Sequence, residues 1–272
     1  HKPATLNDCL TLLGSLGGGA AAERLSKVQL IAGGTDVIFN MRLKFFQPEN
    51  LVSIRRLPEL QQIEELPDGG LRIGASCRLV DLADDQRIAE RFPAFKQALD
   101  AVASAHVRNM GTLGGNICLE TRCWYTNNSE EWRSGRAGCF KTDCDHCHVI
   151  PSGAKCHAIN NADTPPALMA LGAVLTLQST RGQRALPIID CQERTVFIKF
   201  TPRRGMDFSL GTVSACADGA GEQADRVTLV VGSISSAPLV LDGPARLLER
   251  EGLSDGAIDR ALDKMRDELG EI

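Results

Sequence analysis

Six of the ten cysteines lie between residues 118 and 156, and their type and spacing are the strongest sign of chemistry in the chain. In a chain that is not exported, a dense group of cysteines is more often a metal site than a disulfide framework. Thiolates that converge from a loop-rich segment bind either a structural zinc ion or an iron–sulfur cluster. The six are Cys118, Cys123, Cys139, Cys144, Cys147 and Cys156.

The spacing of these cysteines leaves both metal interpretations open. Cys144 and Cys147 form a C-x2-C pair of the kind that begins a zinc knuckle, and His148 and His157 could complete such a site. An iron–sulfur cluster would take four thiolates from the same segment. A third interpretation, free surface thiols without a metal, is weaker because crowded exposed thiols oxidise readily.

Two double-glycine turns form the second group of candidate residues. One spans Ala32-Gly33-Gly34-Thr35-Asp36 and the other spans Thr112-Leu113-Gly114-Gly115-Asn116. Glycine permits the backbone to approach an anion closely, and successive N–H groups can bind phosphate oxygens. Side-chain donors on Thr35, Thr112 and Asn116 would supplement them. Each turn, taken alone, is also consistent with a tight turn only, because neither has the full dinucleotide-binding fingerprint.

Other kinds of chemistry are not visible in the sequence. There is no Ser-His-Asp arrangement, and we interpret His106, before the second glycine turn, as structural. Thirty Lys and Arg residues against 34 Asp and Glu give a net charge of -4, which argues against a nucleic-acid partner. No apolar run approaches the roughly 20 residues that cross a bilayer, and no cleavable signal is evident. We therefore expect a cytoplasmic protein with no membrane partner.

The elements that must position these residues follow from hydrophobic periodicity and turn residues. A strand at 28–31, the first glycine turn and a helix at 37–42 form a unit able to hold a phosphate. Residues 117–162 differ in composition from the rest and are predicted to be an insertion. The other predicted helices are 6–16, one starting after Gly19, 79–88, 94–103, 243–251 and 254–269, and the other strands are 51–54, 71–73, 173–177, 196–200, 209–216 and 226–232.

Four stretches of the chain resemble the FAD-binding subunit of molybdenum hydroxylases, the xanthine dehydrogenase family. They are Ile31–Asp36, Thr112–Asn116, Asp163 with Pro165–Leu168, and Val231–Pro238. The resemblance implies an α+β chain with a two-subdomain FAD-binding fold of the PCMH/vanillyl-alcohol oxidase type. A C-terminal α+β domain of the CO dehydrogenase flavoprotein type would follow. The implied boundaries are 1–53 and 54–190 for the two subdomains, 117–162 for an iron–sulfur insertion and 195–272 for the C-terminal domain.

The same resemblance implies where FAD binds. In the family the two glycine turns embrace the pyrophosphate and ribityl groups, and the aspartate that matches Asp163 binds the adenosine end. Lys199 matches a flavin-contacting lysine. The implied FAD contacts are Ile31, Ala32, Gly33, Gly34, Thr35, Asp36, Thr112, Gly114, Gly115, Asn116, Asp163 and Lys199.

The insertion resembles that of the β subunits of 4-hydroxybenzoyl-CoA reductases, which carry an extra [4Fe-4S] cluster in this loop. The similarity includes Thr121–Tyr125 and Glu131–Gly135. The ligand spacing of those subunits is C-x15-C-x7-C-x8-C, and it leaves Cys118 and Cys144 outside the cluster. The implied ligands are Cys123, Cys139, Cys147 and Cys156.

The resemblance also implies a function and partners. This chain would hold FAD and [4Fe-4S], a small subunit would hold [2Fe-2S] clusters, and a large subunit would hold molybdopterin and carry out the substrate chemistry. Electrons from a ferredoxin-like donor would drive reductive dehydroxylation to benzoyl-CoA in a dimer of heterotrimers. One alternative is a hydroxylase of aldehydes or N-heterocycles. An alternative of another class is a zinc-bearing interaction module without flavin.

Overall fold

The computed structural model describes residues 1–16, 27–142, 144–187, 194–203 and 205–270. The chain forms two compact units. Unit 1 contains residues 1–81, 105–158 and 178–183, and unit 2 contains residues 82–104, 159–177 and 184–272. The candidate turns and the six cysteines of the insertion therefore belong to unit 1, whereas Asp163 and Lys199 belong to unit 2.

The described residues contain short helices and strands in mixed order, as the α+β prediction requires. The helices are α1 (Leu6–Leu16), α2 (Val37–Arg42), α3 (Leu79–Ala83), α4 (Gln86–Arg91), α5 (Pro93–Ala101), α6 (Ala105–Met110), α7 (Leu113–Ile117), α8 (Glu130–Ser134), α9 (Thr164–Ala170), α10 (Asp242–Glu251) and α11 (Asp255–Leu269). The strands are β1 (Val28–Ile31), β2 (Asn50–Ser53), β3 (Ile63–Glu65), β4 (Leu71–Ile73), β5 (Val174–Ser179), β6 (Gly182–Pro187), β7 (Arg194–Phe200), β8 (Gly211–Asp218), β9 (Arg226–Gly232) and β10 (Leu239–Val240).

Unit 1 is built around a parallel pair, β1 and β2, in register from Val28 opposite Asn50 to Ile31 opposite Ser53. The core beside this pair contains the buried side chains of Cys9, Val52 and Leu57. The apolar face of α1 packs against that core, because leucines recur on one side of the helix. An antiparallel hairpin of β3 and β4 follows.

Unit 2 contains a four-stranded antiparallel sheet in the order β10-β9-β8-β7. Helices α5 and α9 pack against it, with Ala94, Ala98, Ala167 and Phe197 in one buried cluster. The C-terminal pair α10 and α11 covers another part of the sheet through a core that includes Val227. Small alanines at these contacts let the helices lie close to the strands.

The structure confirms most predicted elements, with shifts of a residue or two at their ends. The predicted helix at 79–88 is instead two helices, α3 and α4, because Asp85 has an extended backbone and caps the second one. The unit boundaries also differ from the predicted domain boundaries, since residues 82–104 and 159–177 pack with the C-terminal sheet. The predicted helix after Gly19 and the boundary at residue 190 lie outside the described residues.

Candidate cofactor-binding sites

The first glycine turn connects the end of β1 to the start of α2, and its two glycines are needed for different reasons. A Cβ atom on Gly33 would lie 1.9 Å from the carbonyl oxygen of Met110, so the turn packs directly on backbone at the end of α6. Gly34 has φ +76°, a left-handed conformation that other residues rarely adopt. The position of the turn is therefore fixed by backbone sterics before any ligand is considered.

Backbone donors in this turn are free. The N–H groups of Gly33, Gly34 and Thr35 donate to no residue that the structure describes. Successive N–H groups in a turn with a left-handed residue form a concave site for an anion. Thr35 is exposed, and its hydroxyl likewise makes no hydrogen bond to the described part of the chain. The first turn thus has the donors and the space that a pyrophosphate needs.

The second glycine turn differs, because it forms the first turn of helix α7. The N–H of Leu113 donates to Cys77 O at 3.0 Å and that of Gly114 donates to Ala75 O at 2.8 Å. The N–H of Gly115 donates to Thr112 Oγ1 at 3.3 Å, so Thr112 caps the helix. These donors are already used within unit 1, and this turn does not offer a ligand the free N–H groups that its sequence predicted.

Close packing explains the glycine at 114. A Cβ atom there would lie 2.8 Å from the Cβ of Ala75. The absence of a side chain at Gly114 therefore lets α7 pack closely against the segment after β4. A Cβ atom on Gly115 would meet only Thr112 Oγ1, at 3.1 Å. The open side of the second turn is therefore at Gly115, and Gly114 has a packing role.

In unit 2, Asp163 and Lys199 form a buried ion pair. Lys199 Nζ lies 2.9 Å from Asp163 Oδ2 and also donates to the carbonyl oxygen of Ala101 at 3.0 Å. Burial raises the pKa of the Asp163 carboxyl to about 6, and the charge of Lys199 offsets only part of this effect. Asp163 Oδ1 is buried and accepts no hydrogen bond from the described residues. One carboxylate oxygen therefore remains free for another donor.

The four predicted cluster ligands all line one pocket in unit 1, which we call the thiol pocket. Cys118 and Cys144 are exposed and lie outside its lining. The thiols that line it are those of Cys123, Cys139, Cys147 and Cys156. The structure thus brings together the four cysteines of the C-x15-C-x7-C-x8-C spacing and leaves out the other two.

Backbone N–H groups point at two of these sulfur atoms. Burial raises the pKa of the Cys147 thiol, but hydrogen bonds from three backbone N–H groups outweigh it, so the pKa lies below its usual value. The three donors belong to Ile150, Val149 and His157. The N–H of Ala158 donates to Cys156 Sγ at 3.4 Å. Such donors stabilise a thiolate, which is the form of cysteine that binds metal.

Aromatic side chains border the thiol pocket on one side. The rings of Tyr125 and His148 stack with 5.0 Å between centroids, and His146 meets His148 edge-on at 4.6 Å. All three side chains line the pocket. Trp124 lies outside the lining, and 81% of its surface is exposed.

In the described part of the insertion, no site for a single metal ion is preformed at the thiol pocket. Within the described residues, no three His, Cys, Asp or Glu side chains are arranged to hold one metal ion. Four thiolates on one zinc ion lie about 3.8 Å apart, because tetrahedral Zn–S bonds are about 2.3 Å long. In an iron–sulfur cluster the thiolates bind different iron atoms and lie further apart. The donor set of the thiol pocket, four cysteine thiols, is common to both groups.

Residues 1–196 match the family described as the FAD binding domain in molybdopterin dehydrogenase. The chain belongs to this family. The FAD-binding domain so defined contains both glycine turns, the whole insertion and Asp163. Lys199 lies three residues beyond its end.

Curated relatives of this FAD-binding domain are subunits of several oxidoreductases. The aldehyde oxidoreductase FAD-binding subunit PaoB of Escherichia coli K12 is 34% identical over 177 residues, which cover 62% of this chain and 55% of the relative. The carbon monoxide dehydrogenase medium chain of Hydrogenophaga pseudoflava is 37% identical over 117 residues, which cover 43% and 38%. The chain thus spans about half or less of the length of these relatives.

Solved structures share the fold. Carbon monoxide dehydrogenase from Hydrogenophaga pseudoflava that lacks the Mo-pyranopterin moiety superposes with a TM-score of 0.74 at 21% identity, covering 97% of this chain and 84% of that one. Quinoline 2-oxidoreductase from Pseudomonas putida 86 gives a TM-score of 0.70 at 19% identity, covering 97% and 83%. These likenesses confirm the predicted α+β fold class. In the described part of the FAD-binding domain and the region after it, no helix has the length and apolar character to cross a membrane.

Two arginines of the insertion were not predicted as site residues, although one bonds it to the start of α2 and the other to the segment that follows α2. Arg122 donates through Nη2 to Asp36 Oδ1 and through Nη1 to Asn40 Oδ1 at 3.1 Å. Arg133 Nη1 donates to the carbonyl oxygen of Phe45 at 3.0 Å. One sequence signal was present, because Asp36 and Asn40 are four residues apart and therefore share a face of a helix.

Proposed function

We propose that this chain carries FAD and a [4Fe-4S] cluster and transfers electrons within a molybdenum-containing oxidoreductase. The observation that carries the proposal is the thiol pocket, which gathers the four cysteines of the predicted ligand spacing in the same compact unit as the first glycine turn. Family membership supports the flavin, and the N–H donors to Cys147 and Cys156 support thiolate ligands.

The residues of the first turn would hold the flavin pyrophosphate. The free N–H groups of Gly33, Gly34 and Thr35 are suited to phosphate oxygens, and Gly115 leaves the second turn open beside Thr112. When bound, FAD supplies the exchange between one-electron and two-electron carriers, and the cluster passes one electron at a time. The flavin contacts of Asp163 and Lys199 stay predictions from the resemblance.

The substrate chemistry would take place on a large molybdopterin-binding subunit, with a small [2Fe-2S] subunit as the other partner. The insertion favours a 4-hydroxybenzoyl-CoA reductase with electrons from a ferredoxin-like donor. A hydroxylase is the second candidate, and the 34% identity to the FAD-binding subunit of an aldehyde oxidoreductase favours it. The two candidates differ in the direction of electron flow, whereas both need FAD and the cluster in this chain.

Analysis of iron, acid-labile sulfide and FAD in the native complex tests the proposal. We expect one FAD per copy of this chain and, beyond the irons of the [2Fe-2S] subunit, about four irons with equal sulfide, together with an EPR signal of the reduced [4Fe-4S] cluster. Stoichiometric zinc without sulfide would instead support the interaction-module alternative. Turnover of the same preparation with 4-hydroxybenzoyl-CoA and a reduced ferredoxin, against turnover with aldehydes and an artificial acceptor, separates the two substrate candidates.

The role of the cluster has its own test. We propose electron entry through the cluster, because the insertion is anchored to the segment that carries the flavin turn. In a Cys147→Ser complex that still binds FAD and assembles, turnover with the ferredoxin donor should be lost. Partial activity should remain with dyes that react directly with the flavin. Unimpaired turnover with the ferredoxin donor would mean that the cluster is structural.

A further inference from the structure

The guanidinium group of Arg122 forms a ring of hydrogen bonds with Asp36, the last residue of the first glycine turn, and with Asn40 of helix α2. One terminal nitrogen donates to Asp36 Oδ1 and the other donates to Asn40 Oδ1. The amide nitrogen of Asn40 in turn donates to Asp36 Oδ2 at 2.8 Å. Both carboxylate oxygens of the last residue of the first glycine turn are therefore held within this ring.

On its other side, Arg122 is bonded in sequence to Cys123, whose thiol lines the thiol pocket. The backbone of Cys123 is also fixed, because its N–H donates to Asn127 Oδ1 at 2.6 Å and its carbonyl oxygen accepts from the N–H of Asn127 at 2.9 Å. The thiol pocket and the Asp36 carboxylate are thus linked through two consecutive residues, Cys123 and Arg122.

The ring is poorly suited to a purely stabilising role. Asn40 is 2% exposed, and the side chains of Arg122 and Asp36 are 22% and 32% exposed. Arg122 Nε is buried and has no acceptor among the described residues. A partly buried charge with an unmet donor costs free energy that apolar packing would avoid. The link joins residues 86 positions apart in sequence.

Resting on the proposed function, we infer that Arg122 is a positioning residue that couples cluster assembly to flavin binding. When the thiolates of the pocket are held by a cluster, Cys123 and Arg122 are fixed, and Arg122 fixes Asp36 at the end of the flavin turn. Without a cluster the insertion is freer, and the turn loses this constraint. By linkage, each cofactor then favours binding of the other by the same factor.

The experiment compares FAD dissociation constants of the purified protein with its cluster intact and after removal of iron by a chelator. In the wild type, the intact cluster should strengthen FAD binding by about fivefold or more, the lower end of ordinary coupling between sites. Arg122→Met should reduce this ratio to near one, and Arg122→Lys should restore part of it, because lysine keeps the charge. Arg136→Met is the matched control, since Arg136 belongs to the insertion but lies over the Trp132 ring and not in the hydrogen-bonded ring with Asp36 and Asn40.

Asp36→Asn tests the contact between Arg122 and Asp36 at its other residue. This variant decides whether the coupling exists if Arg122→Met does not fold. Asp36→Asn weakens the hydrogen bond to Arg122. The ratio of the FAD dissociation constants without and with the cluster should therefore fall, while the iron content is unchanged. A wild-type ratio near one, or an undiminished ratio in Asp36→Asn or a folded Arg122→Met, would overturn the inference. Failure of the proposed function is distinguishable, because the wild-type protein would then hold no FAD or no iron and sulfide.

Discussion

Lys199 Nζ lies 2.9 Å from Asp163 Oδ2 in unit 2, and the two side chains are only 12% and 5% exposed. Despite this pairing, burial dominates and raises the pKa of Asp163 to about 6. The pair is therefore one in which the removal of a carboxylate from water outweighs the attraction of its partner.

This imbalance predicts the pH dependence of stability. The pKa of Asp163 in the folded state is above its unfolded value of 3.8, so the folded state binds the extra proton between pH 3.8 and about 6. The stability that this group contributes is present below that window and is lost as pH rises through it. Since Asn resembles the protonated acid, Asp163→Asn should gain stability relative to wild type by up to about 3 kcal/mol as pH rises to 7.

Denaturant unfolding of wild type and Asp163→Asn at pH 4 and pH 7 measures this difference. The unpaired Lys199 adds a constant cost at both pH values, and Asp163→Asn combined with Lys199→Met removes it. A variant that loses stability relative to wild type as pH rises would mean that the ion pair favours the charged carboxylate.

The first glycine turn is tested by Gly34→Ala and Gly34→Val. A side chain at φ +76° costs roughly 1–2 kcal/mol of stability, and its Cβ would lie 3.3 Å from side-chain atoms of both Ile31 and Ile38. We expect Gly34→Ala to weaken FAD binding and Gly34→Val to lose the flavin. Absorbance of bound flavin per chain is the measurement.

Gly221→Ala is the matched control for backbone strain. Gly221 also has a left-handed φ, +62°, and a Cβ there meets nothing within 4 Å. The stability cost should resemble that of Gly34→Ala, whereas the FAD content should be unchanged. Full flavin occupancy in a folded Gly34→Val would show that the first turn is not the pyrophosphate site.

The two glycines of the second turn should respond differently to alanine. Gly114→Ala places a Cβ 2.8 Å from that of Ala75 and should destabilise the fold by about 1–3 kcal/mol, as overpacking does. Gly115→Ala meets only the hydroxyl of Thr112, so its stability cost should be smaller. Thermal unfolding of the two variants gives the comparison, and equal losses would contradict the assignment of packing to Gly114.

Serine substitutions test the ligand set of the thiol pocket. Replacing Cys147 should remove most of the iron, because its thiolate is buried and accepts three backbone hydrogen bonds. Cys123, Cys139 and Cys156 should behave similarly. Cys144→Ser and Cys118→Ser are the controls, and each should leave iron and sulfide nearly unchanged. Loss of iron in Cys144→Ser but not in Cys139→Ser would show that Cys144, and not Cys139, is a ligand.

The sequence predicted local structure well where apolar residues recur at a regular spacing. The bounds of α1, β1 and α2 follow directly from such patterns and from the glycines between them. The second turn was harder, because a helix of five residues has no periodicity to detect. Its start is set by the Thr112 side chain and by two backbone carbonyls from residues 75 and 77, which only the folded chain brings close.

In the candidate site too, the sequence predicted some features, whereas others became visible only in the folded chain. Cysteine spacing alone left zinc and iron–sulfur interpretations open, and only the resemblance selected Cys147 over Cys144. The structure adds the reason, since the loop turns the Cys144 side chain away to pack near Gly138. The bond between Arg122 and Asp36 joins residues too far apart in sequence for any local pattern to predict.

The close approach of Gly33 to Met110 has a consequence for interpreting related sequences. Because the folded backbone itself excludes a side chain at Gly33, a descendant that had lost its cofactor would still be under selection to keep this glycine. The presence of the glycine pair in a related sequence therefore indicates a shared fold and does not by itself indicate cofactor binding. Loss of binding would first be visible at neighbours such as Thr35, which the fold leaves unconstrained.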